Sequence, residues 1–126
     1  MAQQVNFGKL TFIAGEDLSD KMYYVVKLDS NGNVVLCGAN EVAIGVLDGK
    51  PKAGERVAVN ILGTSKVVSG GEIAVGSKVV SDANGKVVTM PVEAGTYNVI
   101  GIALESSSGD GQLIEVLLRP ETVVIS

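Results

Sequence analysis

Apolar residues in this chain form short runs that end at glycine, asparagine or aspartate, and they do not recur at helical spacing. Residues 56–62 alternate most clearly, with Val57, Val59 and Ile61 on one side of an extended segment. No window of about twelve residues has an apolar period near 3.6, whereas short β-branched runs between turn formers are typical of strands. The pattern predicts an all-β chain of about ten short strands.

The same pattern occurs twice along the chain. AIGVLDGKPKAGERVAVNIL, residues 43–62, matches VIGIALESSSGDGQLIEVLL, residues 99–118, in length and in the order of its parts. A hairpin signal precedes each copy, Asn31-Gly32 and Asn84-Gly85, because these residues tolerate the positive φ angles of a type I′ turn. A period of roughly 55 residues in so short a chain predicts one domain with an internal two-fold sequence pseudo-repeat.

The predicted architecture is a small compact β-barrel or β-sandwich with an extended N-terminal arm. A chain of 126 residues is long enough to bury a core, and short strands at this spacing favour a barrel or a sandwich over an open sheet. We predict a single β domain over residues 14–118, with repeat halves at about 15–62 and 71–118. Residues 1–13 are then the arm and residues 119–126 a short C-terminal tail.

The arm carries an unusual density of apolar side chains. Five of them fall within nine positions: Val5, Phe7, Leu10, Phe12 and Ile13. One interpretation is a first strand that packs on the domain's own core. The other is a free arm whose apolar residues are buried by a partner, because one large buried apolar side chain contributes about 1.5–3 kcal/mol.

Composition excludes several classes of function. The net charge is −4 and lysine and arginine form no run, so the basic patch of a nucleic-acid binder is missing. No apolar segment reaches the length of a membrane span, and residues 1–10 lack the features of a secretory signal. The single cysteine, Cys37, rules out an intrachain disulfide framework. We therefore expect no nucleic acid, membrane or disulfide chemistry.

The sequence offers no active site either. It contains no histidine, which removes the commonest general base and metal ligand. Asp29, Asn31 and Asn33 resemble the start of a calcium loop, but glycine falls at the fourth position of that loop, not the sixth, and Asn40 replaces the final glutamate. Cys37 lies in an apolar run, as buried inert thiols do. We expect no enzymatic activity, no cofactor, no metal and no small-molecule substrate.

Two alternatives stay open. One is an adhesion or secreted structural module, which the missing secretory signal disfavours. The other is a small β-barrel carrier or ligand-binding module. Lipoyl and biotinyl carriers present a modified lysine at a hairpin tip, and Lys66 and Lys78 are the lysines to consider. Both precede Val-Val pairs and therefore resemble the beginnings of strands.

Several motifs together resemble a family of short tailed-bacteriophage capsid decoration, or cement, proteins. They are Ala14-GEDLS19, Val25-VKLD29, Asn31-GNVV35, Ala43-IGVL47, Lys52-AGE55, Val67-VSGG71, Gly76-SKV79, Asp82-ANGK86, Val99-IGIAL104 and Asp110-Gly111. Each motif is weak alone, because Gly/Val turn patterns are common, but the order is kept over residues 14–118. Residues 1–13 and 119–126 lie outside the resemblance.

The resemblance implies a structural virion protein. Such a protein would bind the outer surface of an expanded head, as a homotrimer, and stabilise the capsid by bridging subunits of the major capsid protein. It would be made in the host cytoplasm and would carry no catalytic residues. Taken with the apolar arm, this makes Val5, Phe7, Leu10, Phe12 and Ile13 the candidate capsid-binding residues.

Overall fold

The computed structural model describes the backbone of residues 6–126 and the side chains from Gly8 onward. Our expectations for Val5 and for the side chain of Phe7 lie outside the described residues. The described part is all-β, as predicted. Its strands are β1 (Asn6–Ile13), β2 (Val25–Leu28), β3 (Val34–Leu36), β4 (Gly45–Asp48), β5 (Arg56–Ile73), β6 (Lys78–Ser81), β7 (Val87–Thr89), β8 (Gly95–Ala103) and β9 (Ser107–Ile125).

The strands form a sheet that curves back on itself. Along the main path the order is β3-β2-β4-β5-β7-β6-β8-β9, with β1 paired to β5. A further antiparallel pairing between β5 and β9 makes the arrangement ring-like. All named strand pairs are antiparallel except the single bridge from Ser69 in β5 to Val87 in β7.

The two predicted hairpin turns have the same structure. The Oδ1 atom of Asp29 accepts hydrogen bonds from the backbone N–H groups two and four residues further on, at 2.8 and 3.0 Å. The Oδ1 atom of Asp82 accepts the equivalent pair of bonds at 2.8 and 3.0 Å. The glycines at the tips, Gly32 and Gly85, have φ angles of 78° and 74°. The positions of the turns are thus as predicted, but their type is not: Asn31 and Asn84 lack the positive φ that a type I′ turn requires, and only the glycine of each pair is left-handed.

The two turns make a direct test of the repeat. We expect Asp29→Ala and Asp82→Ala each to lower the free energy of unfolding by about 1–3 kcal/mol, because each substitution leaves two N–H groups without their charged acceptor. Urea denaturation measures the loss. Asp20→Ala is the control, since its carboxylate is 80% exposed and makes one long ion pair. Very different losses at the two turns would contradict their equivalence.

Strand pairing after the turns also repeats. Val26 lies opposite Gly45 in the first half, and Val79 lies opposite Gly101 in the second. A parallel bridge from Ala14 to Val34 has its counterpart in the bridge between β5 and β7. The internal pseudo-repeat is therefore confirmed. The halves differ in the lengths of their connections: the one from the turn to Gly101 is three residues longer than its counterpart before Gly45, and the one before β9 is longer by one, so that Val59 corresponds to Val116.

The repeat begins earlier than the sequence indicates. Strand β1 lies antiparallel to β5 with Leu10 opposite Val59, and the second part of β5 lies on β9 in the same way, with Ser65 opposite Val116. Residues 6–13 are thus a strand of the sheet and belong to the repeat. We therefore define the first half as residues 6–63 and the second half as residues 64–120.

The predicted short tail is also different in the structure. Residues 121–125 continue β9 and pair with β8, from Glu121 opposite Val99 to Ile125 opposite Gly95. Their composition explains this, because Thr, Val and Ile favour the extended backbone. We call residues 121–125 the exit strand.

Two clusters of mainly valine side chains form the core. The larger cluster takes residues from both halves, including Val25, Val46, Val67, Val79 and Val116, all with no exposed surface. The smaller lies in the first half around Leu18, Leu47 and Val59. The core therefore holds the two halves together.

Candidate capsid-binding surfaces

The structure separates the residues that the sequence groups as a binding arm. The side chain of Leu10 is 47% exposed, whereas Phe12 packs against the smaller core cluster and Ile13 is half-buried. Lys9 fastens β1 to β4 through an ion pair of 2.8 Å with Asp48. Of the five proposed residues, only Leu10 is thus a described side chain with substantial exposure.

A groove of about 240 Å³ lies where the two halves meet. Its apolar wall is formed by Ala43, Ile44 and Ile61 of the first half and by Val99, Ile100 and Leu118 of the second. These six residues are three equivalent pairs of the repeat. Sequence reasoning found the repeat but missed the groove, because the contact between the halves leaves no local pattern.

The rim of the groove is polar and held in place by Asn40. This residue has a left-handed φ of 54°, and its Nδ2 donates to the carbonyl of Thr96 at 2.8 Å. Its Oδ1 and its carbonyl accept bonds from the backbone N–H and the side chain of Asn98. Next to this clamp, Val42 is 72% exposed at the mouth of the groove. An apolar floor with a polar rim is the usual anatomy of a protein-binding site.

An ion pair fixes the loop that carries the rim. Glu41 accepts two bonds from Lys27 Nζ, at 2.7 and 2.8 Å, and one from the backbone N–H of Gly38 at 2.6 Å. The Lys27 ammonium lowers the pKa of Glu41 below 4.5, and Glu41 raises the pKa of Lys27. Because the pKa of Glu41 is lowered, its stabilising effect is complete above pH 4.5 and is lost as the pH falls through the lowered pKa. The loop is therefore fixed at neutral pH.

Cys37 is buried in the larger core cluster, with 1% of its surface exposed. Burial raises the pKa of its thiol, so little thiolate forms at neutral pH. We expect the native protein to react very slowly with a thiol reagent and the urea-unfolded protein to react rapidly. Absorbance-monitored thiol titration with and without urea checks this. Fast labelling of the native protein would show that Cys37 is accessible.

The other side chains considered for metal binding or covalent modification make contacts that stabilise the fold. The Asp29 carboxylate closes its turn, Lys78 forms an ion pair with Glu121 at 3.3 Å, and the ammonium of Lys66 lies 5.6 Å from the ring centre of Tyr23. Both lysines lie on strands and not at hairpin tips. Across residues 6–126, no three metal-ligating side chains converge. The same residues contain no helix long and apolar enough to cross a membrane.

Comparison with known proteins identifies the family. The family model described as phage cement protein matches residues 22–119. The chain belongs to the phage cement protein family. It is therefore a structural protein of the phage head that associates with the capsid. The ordered motifs in the sequence had indicated the same family.

A solved structure supports the fold of this cement protein. The crystal structure of the N base of head fiber gp8.5 of bacteriophage phi29 has a TM-score of 0.69, and the match covers 93% of this chain and 95% of that chain. The identity is 20%, so the likeness shows a shared fold. No curated protein sequence matches the chain.

The two candidate surfaces of this cement protein, the groove and the exposed side of β1, differ in whether the family match covers them. Most of the groove lies within the matched residues 22–119, and only Pro120, Glu121 and Thr122 lie beyond them. Strand β1 lies entirely outside the match. A contact through the groove would therefore use mainly residues within the family match, whereas a contact by Leu10 would use a residue outside it.

Proposed function

We propose that this protein binds the outer surface of an expanded phage head as a homotrimer and stabilises the head by bridging neighbouring subunits of the major capsid protein. The family match over residues 22–119 carries the proposal. We further propose that it has no enzymatic activity and binds no cofactor, no nucleic acid, no membrane and no small-molecule substrate.

The groove suits this role because it is apolar and preformed. One large apolar side chain of the capsid protein inserted there would contribute about 1.5–3 kcal/mol. Such a contact is weak alone, since association costs several kcal/mol in lost freedom. Trimerisation compensates, because the second and third subunits bind at a high effective concentration once the first is seated. Three weak, identical contacts then give tight overall binding of the trimer to the head.

The proposal is tested by co-sedimentation of the purified protein with expanded heads that lack it. We expect saturable binding and a higher temperature of head disruption. Val42→Glu should weaken binding at least tenfold, because it places a charge at the mouth of the groove, and tenfold corresponds to about 1.4 kcal/mol. Val92→Glu is the matched control, since Val92 is 85% exposed and does not line the groove.

The outcomes separate the function from the surface. If the unmodified protein does not pellet with heads, the proposed function is wrong. If it pellets and Val42→Glu binds equally well, the protein decorates heads through another surface, and Leu10→Glu is then the variant to compare.

A further inference from the structure

Within the described chain, the exit strand pairs with another strand along one of its two edges. Asn40 bonds the carbonyl of Thr96 and the N–H of Asn98 on the far edge of β8, so these two residues face away from β9. Because backbone groups alternate between the two edges of a strand, the residues of the exit strand that bond β8 are 121, 123 and 125. The N–H and C=O groups of Thr122 and Val124 face the other edge, where no strand pairs within residues 6–126.

The repeat gives the exit strand two equivalents. One is residues 9–13 of β1, which lie antiparallel on residues 56–60 of β5. The other is residues 64–68 of β5, which lie antiparallel on residues 113–117 of β9. In this correspondence Val124 is equivalent to Phe12 and Val67, and Thr122 to Leu10 and Ser65. Each equivalent thus pairs with the last strand of a half.

The open edge of the exit strand is the edge through which its equivalents pair. Leu104 N–H donates to the carbonyl of Glu115, so Glu115 faces β8 and its neighbour Val116 faces β5. Val116 therefore bonds Ser65, and Val67 bonds β9 likewise, by the alternation of the strand. In the exit strand the corresponding residues, Thr122 and Val124, present these same groups without a strand partner among residues 6–126.

Side-chain burial repeats the contrast. Val67 has no exposed surface, and Phe12 packs against a core cluster. Val124, at the same place in the pattern, is 70% exposed. Val124 is thus an apolar side chain that is exposed at a position where both of its equivalents pack against the core.

We propose that the exit strand of one copy pairs with β5 of a second copy, at the place that β1 occupies in the single chain. The repeat fixes the register: Thr122 would lie opposite Val59 of the second copy and Val124 opposite its Val57. A strand edge that presents free backbone groups and β-branched side chains is a template for such pairing.

The pairing is head-to-tail, because the exit strand and β5 are different surfaces. Such contacts generate a ring when the rotation closes. The exit strand competes with β1, which is tethered to its own β5 and is favoured in dilute solution. Copies held side by side on a shell raise the effective concentration of the exit strand and favour the exchange. Displaced β1 would then be free to contact the capsid.

Cysteine pairs in the full-length protein test the register. Ala58 lies opposite Thr11 between hydrogen-bonded pairs of β1 and β5, so Val123 of another copy would take that position with Cα atoms about 4.5 Å apart. This separation suits a disulfide. Ala58→Cys with Val123→Cys, oxidised mildly at high protein concentration, should give covalent oligomers on non-reducing gels. Buried Cys37 can remain in place.

The control moves one cysteine by two residues. Ala58→Cys with Glu121→Cys places the pair on a diagonal of about 7–8 Å, where a disulfide strains the backbone, so cross-linking should fall at least tenfold. Equal cross-linking of both pairs, or none of either, would overturn the proposal. So would self-cross-linking of Val123→Cys alone, because like edges would then be pairing.

A second measurement needs no cysteine. Val124→Glu should leave the melting temperature unchanged, because the side chain is exposed, and should weaken self-association in light scattering at least tenfold. Val92→Glu should associate like the unmodified protein. If Val124→Glu also associates normally, the exit strand is not the contact. Heads are absent from both experiments, so their failure is distinguishable from failure of the capsid-binding proposal.

Discussion

Gly45→Ala and Gly101→Ala should each destabilise the protein by about 3 kcal/mol or more, the upper end of what overpacking costs. A Cβ atom at Gly45 would collide with the backbone oxygen of Asn60 and lie 2.8 Å from Val59 Cγ1. A Cβ atom at Gly101 would collide with the backbone oxygen of Leu117. Both oxygens belong to paired strands of the sheet and cannot move without breaking hydrogen bonds.

Urea denaturation of Gly45→Ala, Gly101→Ala and a control variant measures the loss of stability. The control is Gly71→Ala, which also lies in a strand but has no atom within 4 Å of the added Cβ and no positive φ angle. It should change stability by less than about 1 kcal/mol. A small loss at either Gly45 or Gly101 would mean that the two halves are not packed as the repeat requires.

Deletion of residues 1–12 is the second large effect that we expect. The sequence, taken alone, suggests that the barrel closes without this segment and that the truncated domain stays folded. Strand β1 changes that expectation, because it covers an edge of β5 and brings Phe12 onto the core. Loss of a fully buried ring costs about 3–5 kcal/mol, so loss of the partly buried Phe12 ring costs less than this, and the free edge of β5 adds to the loss.

The truncation is best measured by thermal melting at low protein concentration, where replacement of β1 by a second copy is negligible. We expect a large fall in melting temperature and no binding to heads. Leu10→Ala and Phe12→Ala separate capsid contact from stability, since only Phe12 packs against the core. Phe12→Ala should lower the melting temperature, and Leu10→Ala should not. A truncated protein that melts normally would show that β1 is dispensable and restore the free-arm interpretation.

The internal repeat and its turns were predictable because both are local. Asn31-Gly32 and Asn84-Gly85 mark the positions of the turns, although not their type, and the Ile-Gly pairs mark the same strand position in each half. Family membership followed from the order of such motifs. None of this required knowledge of which strand lies beside which.

The strand partners could not be predicted in the same way. Residues 9–13 and 121–125 have the apolar content of strands, but their partners lie far along the chain, and alternation of side chains does not name a partner. The same reason hid the groove, whose walls come from positions 43–61 and 99–118. Val124 is the clearest case, since only the repeat of strand registers shows that its exposure is unusual.

A cryo-electron microscopy reconstruction of expanded heads incubated with the protein tests the central claim most directly. We predict three-fold density on the outer surface, seated where subunits of the major capsid protein meet, with each copy in contact with at least two of them. Density inside the shell, or copies that each contact a single capsid subunit, would contradict the bridging role.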